Sequence, residues 1–157
     1  MATEDEKKRN LMKLSSLVIH GLTRGLWELL GESAEVTAKL IGHSNIAMLE
    51  KEMGFEIAGE NLHDMMTELN RIFVDELGAL EGAEAKVEGN QVTMTCTGCK
   101  FMSLTKDLMD EGIPPFICPF KGMAMAAVVK RLGSEAHLLN SDVNTQTQVC
   151  IHTFEPL

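Results

Sequence analysis

The chain has no tyrosine, one tryptophan and six phenylalanines in 157 residues. Its core must take volume from elsewhere, and eleven methionines are the evident source. Methionine is unbranched and polarizable, so it fills irregular core gaps and also lines adaptable apolar pockets. Core filling is the commoner use, and pocket lining is the special case. Basic residues are also in deficit: 14 Lys and Arg stand against 23 Asp and Glu, for a net charge of −9. That balance leaves no basic footprint for nucleic acid, so no direct nucleic-acid partner is expected. The plain use of the excess acid is solubility. The longest apolar run, around Met123 to Val129, is far shorter than the roughly 20 residues that a bilayer demands, so no membrane partner is expected.

Other absences narrow the chemistry. There is no low-complexity tract and no internal repeat. There is no G-x-G-x-x-G, the usual dinucleotide fingerprint. No spacing argues for a Ser–His–Asp or paired-carboxylate arrangement, so no catalytic residue is nominated and a hydrolase is disfavoured. The stretch Ala2 to Arg9 is charged and leads into no apolar signal segment. A cytoplasmic location is therefore expected. In that compartment four cysteines point to a metal or redox set before structural disulfides.

What is present reads as one α+β domain over residues 11–157, behind a flexible, frayed start at 1–10. An amphipathic helix begins at Leu11, with Leu14, Leu17, Val18, Leu22 and Leu26 on one stripe, and ends at Gly31. Gly21 and Gly25 lie four apart on it. A helical glycine costs about 1 kcal/mol against alanine. Close approach of another helix, for instance from a second subunit, would offset that cost; a tolerated irregularity is the bland alternative. Ser33 caps a second helix, which Gly42 should interrupt and Gly54 should stop. Asn61 caps the clearest helix, where Leu62, Met65, Met66, Leu69, Ile72 and Phe73 keep the i, i+3, i+4 spacing, and Gly78 ends it. The period then changes to 2. Residues 83–97 read as a hairpin around Gly89 and Asn90, with Cys96 on its apolar face. A short helix covers 100–110. Pro119 starts a helix to Leu132 that is apolar nearly all round and so must be buried on most sides. A strand over 135–140, a polar turn over 141–147 and a last strand over 148–154 complete the chain.

Cys96-Thr97-Gly98-Cys99 is a C-x-x-C whose glycine lets both sulfurs face one point. Cys118 falls at the N-cap of the apolar helix, where the dipole favours the thiolate that binds metal. Cys150 lies on the last strand. Four thiolates suit tetrahedral zinc, or an iron–sulfur cluster. His152 would orient a ligand or replace one, although a lone strand histidine is more often a surface or satisfied core residue. A free cysteine is also commonly just a small buried hydrophobe. Strand, C-x-x-C and helix would also suit a dithiol in which Cys96 attacks and Cys99 resolves, but no βαβ unit precedes the motif.

Several stretches together resemble the 4-vinyl reductase or hydrocarbon-binding domain family. They are Val74-Asp75-Glu76-Leu77-Gly78, the hairpin ending in cysteine, Phe116-Ile117-Cys118-Pro119-Phe120-Lys121-Gly122, Arg131-Leu132-Gly133, and Cys150-Ile151-His152-Thr153-Phe154. The resemblance implies a fold related to TRAPP-type trafficking subunits, with helices on an antiparallel sheet, usually dimeric, as in stand-alone archaeal members. It also implies a small apolar ligand beside a cysteine-rich zinc site. By position, Cys118, Cys96 or Cys99, and Cys150 match the family's cysteines. The family's sensors carry a glutamate where this chain has Pro115, and a further cysteine where it has alanines such as Ala126.

The expectation is thus a homodimeric, metal-binding sensor or small-molecule-binding domain without catalysis of its own. The metal would be zinc, or alternatively an iron–sulfur cluster, on Cys96, Cys99, Cys118 and Cys150. The ligand pocket would be lined by Met65, Met66, Met123 and Met125. The alternative is a thiol or iron–sulfur redox protein using Cys96 and Cys99.

Overall fold

The computed structural model describes residues 2–157. Helix α1 spans Glu4–Leu30. It starts earlier than the apolar stripe suggests because Thr3 and Glu6 form a reciprocal cap. The Glu6 N–H donates to Thr3 Oγ1 at 3.3 Å, and the Thr3 N–H donates to the Glu6 carboxylate at 2.8 Å. The frayed start expected over residues 2–10 is therefore corrected to helix from Glu4. Only the C-terminal part of α1 packs inward, where Trp27 meets Phe116 at 5.7 Å between ring centroids. Leu11, Leu14, Leu17, Val18 and Leu22 face outward, each more than half exposed.

Helix α2, Ala34–Met53, runs straight through Gly42. The expected interruption there is also corrected. Gly42 is buried, and a Cβ on it would lie 2.4 Å from the carbonyl oxygen of Gly122. The glycine is there because two helix backbones touch. Nothing lies within 4 Å of a Cβ built at Gly21 or Gly25. Within the chain, then, the close helix approach belongs to Gly42 and Gly122. Gly54 ends α2 in the left-handed conformation, with φ of 72°.

Helix α3, Leu62–Arg71, is capped by Asn61, whose side chain accepts from the Asp64 N–H at 3.0 Å. It continues into a π-helical turn, Ile72–Glu76. Strands β1, Gly82–Glu88, and β2, Gln91–Thr97, form the expected hairpin. Helix α4 is Met102–Asp110, and α5 is Pro119–Leu132. Strands β3, Ala136–Asn144, and β4, Val149–Pro156, close the chain. All neighbours pair antiparallel in the order β1-β2-β4-β3. The fold is α+β. Strand β3 extends through Asn144, so Ser141 lies in a strand and not in the expected turn.

The core sits between the sheet and the helices α3 and α5. Met65, Met66, Leu69, Ile72 and Phe73 face Met94, Val92 and Phe154 across it. Phe73 meets Phe120 edge-on at 5.0 Å. Burying a side chain of this size contributes roughly 1.5–3 kcal/mol. Helix α5 is the central element: Phe120, Met123 and every residue from Ala124 to Val128 are buried.

Gly42→Ala should destabilise the protein by about 1–3 kcal/mol, because the methyl group meets backbone and not a flexible side chain. Chemical denaturation will measure it, and an unchanged midpoint would mean that α2 and α5 do not touch there.

Candidate functional site: a thiol cluster beside a cavity

Register brings the thiols together. Cys96 on β2 and Cys150 on β4 are direct cross-strand partners. Both are buried in the main core, and Cys99 and Cys118 pack against the same cluster. All four are free. Cys99 follows Gly98, whose φ of +61° turns the chain after β2, and its sulfur accepts from the Phe101 N–H at 3.4 Å. Cys118 is the N-cap of α5, in an extended conformation before Pro119.

Burial is the main electrostatic fact. It pushes the Cys96 thiol far above its ordinary range, and the charges of Cys118, Cys150 and Cys99 push the same way. Cys150 is pushed up to about 12, first by burial and then by Cys118 and Cys99. Burial raises Cys99 too, against the pull of the Phe101 N–H. Cys118 is raised by burial, while the N–H groups of Lys121 and Phe120 and the Lys121 charge hold it back. Without a cation, these are neutral thiols that disfavour one another's ionisation.

Donor type and number fit a thiophilic metal, since a cation would reverse every one of these shifts. The closed ligand geometry is another matter. Among the described residues, no group of three or more His, Cys, Asp or Glu side chains is placed closely enough to hold an ion. Binding would require the sulfurs to draw together.

His152 lies two residues beyond Cys150 on the same face of β4 and is buried. Its Nε2 is 3.6 Å from Cys118 Sγ, and its Nδ1 is 2.9 Å from Ser141 Oγ on β3. Burial, and secondarily the Lys121 charge, lower its pKa to about 4. It is a satisfied core histidine in contact with a thiol.

Ser141 also lines a cavity of about 510 Å³ between α2, the Pro114–Phe116 segment, α5 and β3. Its apolar walls include Val36, Phe116, Met125, Val129 and Leu138. This volume falls within the range of small-molecule pockets. Of the four methionines expected around a pocket, Met125 lines this one. Met65, Met66 and Met123 belong to the core, with Met65 and Met66 on α3 packed under the sheet. The sequence reading missed two residues here. Lys121 lines the cavity and is buried inside an apolar helix. A cation in the first turn of such a helix is out of place by burial and by the helix dipole, and that was the available signal. Ser141 was hidden by the turn assignment over 141–147.

The sequence pattern of the family described as "Putative rubredoxin C-terminal domain" matches residues 14–152. The chain belongs to this family. The match spans all four cysteines and the cavity-lining segments. The match does not confirm the resemblance to the 4-vinyl reductase family, with which the fold is compatible. An uncharacterized protein of Methanocaldococcus jannaschii is 23% identical over 133 residues, covering 85% of this chain and 79% of that protein. Among solved structures, the phenol-responsive sensory domain of the transcription activator PoxR, crystallised with phenol, superposes with a TM-score of 0.59. It is 14% identical, covering 90% of this chain and 74% of that one. A variant of Tt H-NOX superposes at 0.50 and 12% identity, covering 100% of this chain and 75% of that one. At these identities the likeness is one of fold. No helix among the described residues is long and apolar enough to cross a membrane.

His152 supplies a pH prediction. Its folded pKa of about 4 lies below the ordinary histidine value, so between the two the unfolded chain holds the extra proton. The contribution to stability is complete above about pH 6.5 and is lost as pH falls to 4, on the order of 3 kcal/mol in all. In denaturation curves across that range, His152→Gln should flatten the decline. An unaltered decline would mean that the imidazole is already solvated or charged.

Proposed function

We propose that this chain is a cysteine-ligated, metal-binding domain that senses or carries a small apolar molecule and performs no catalysis of its own. The observation that supports this best is a free-thiol cluster one residue away from an apolar cavity. His152 touches Cys118 on one side and the cavity-lining Ser141 on the other. The shared fold with a phenol-responsive sensory domain supports the ligand half of the reading.

The metal would be held by Cys96, Cys99, Cys118 and Cys150, with zinc as the first choice. Zinc there would tie the hairpin, the start of α5 and β4 together, and structural zinc contributes on the order of 10 kcal/mol to folding. An iron centre is the second reading, favoured by the rubredoxin description of the family. It would turn the same thiols to electron transfer or redox sensing.

Metal analysis with a visible spectrum, on protein purified without oxygen, tests both. One zinc per chain and no colour is the expected result. Iron with visible absorbance would move the function to redox chemistry, and no metal would remove the metal half of the proposal. Cys118→Ser should abolish metal uptake and soluble folding. A soluble variant that melts normally without metal would overturn the structural role.

A homodimer through α1 belongs to the same reading. It is supported by the exposed stripe of Leu11, Leu14, Leu17, Val18 and Leu22 and by open space at Gly21 and Gly25. Light scattering should give the mass of two chains, and Leu17→Glu should halve it. A single-chain mass for the unaltered protein would reject this interface.

A further inference from the structure

The cavity carries one feature that an apolar ligand alone leaves unexplained. Five ionisable residues on its lining, Glu35, Lys39, His43, Glu135 and His137, are all exposed at the rim. Lys39 and Glu135 approach each other there at 3.9 Å. The sixth is Lys121, and it is only 7% exposed. None of the ion pairs or side-chain hydrogen bonds among the described residues involves its ammonium group. The other lysine of α5, Lys130 at its far end, is bonded to Glu50.

A lysine ammonium group in an apolar setting is costly unless it is paired, and that of Lys121 reaches the open space of the cavity. The position is unfavourable on a second count, since the first turn of a helix repels positive charge. Around Lys121 the cavity wall is apolar, with Phe116, Met125 and Ala126 beside it. What the site lacks is an anion with an apolar body.

We infer that the cavity takes a small apolar acid, whose carboxylate pairs with the ammonium group of Lys121. This rests on the reading of the cavity as a ligand site and names the class of ligand. The apolar body lies against Phe116, Met125 and Leu138, and the exposed rim charges contribute little because solvent screens them. Pairing in a partly enclosed site makes charge, and not size, the main discriminator.

Benzoate and benzamide have nearly the same shape and differ in charge, so they are the probes. Each is titrated into the protein as isolated, with backbone NMR shifts of cavity residues as the readout. Benzoate should bind at least about tenfold more tightly than benzamide, and Lys121→Met should reduce that preference to about twofold or less. If Lys121→Met does not fold, Lys121→Gln serves in its place, and the comparison on the unaltered protein stands without either. Equal binding, or tighter binding of benzamide, would overturn the acid inference while leaving the apolar cavity reading intact. A benzoate preference that survives in the lysine variant would overturn the assignment to Lys121. No shift at the cavity with either probe at millimolar concentration would overturn both.

Discussion

Everything in this fold is arranged around the need to bury α5 on nearly every side. A helix with Phe120, Met123, Met125 and Val128 around its circumference cannot have a solvent face. The sheet and α3 cover part of it, and α2 covers another part through the Gly42–Gly122 contact. That packing places the start of α5 between two different environments. Cys118 turns toward the cysteines of β2 and β4, while Lys121, three residues on, lines the cavity under α2. The thiol cluster and the cavity are therefore two sides of one helix terminus.

The charges around that terminus make physical sense together. Cys96, Cys99, Cys118 and Cys150 are all raised by burial, which favours the neutral thiols. His152 is kept neutral by the same burial and by Lys121. Lys121 is the buried basic side chain at that terminus. One interior helix end thus borders both the thiols and the cavity.

Local signals carried far in the sequence. Asn61, Gly54, Gly78 and Pro119 each mark a boundary through interactions within a few residues, and each element begins or ends beside them. The hairpin was legible for the same reason, because Gly89 and Asn90 fall between two period-2 runs. Gly42 looks like a break in the sequence because its reason is the backbone of Gly122, on a helix far along the chain. The methionines are ambiguous for the same reason. Met65 and Met125 look alike in periodicity, but only the position of α2 decides which one faces open space. Thr3 was missed because a polar cap stood well ahead of the apolar stripe. The cysteine grouping needed only the face alternation of strands, since Cys96 and Cys150 both lie on inward positions. Ser141 required the true length of β3, which polar residues concealed.

The Gly42–Gly122 contact has a bearing on how such a cavity can diversify. Gly122 is part of the cavity lining, so one boundary of the chamber is main chain held against main chain. Side chains cannot be exchanged at that boundary without prising two helices apart. Val36 and Leu138 on the other walls are less tightly enclosed and can vary in bulk. A lineage of such domains can therefore retune the width and outline of the chamber while its depth stays constant, much as a mould with one fixed plate accepts only inserts along its sides.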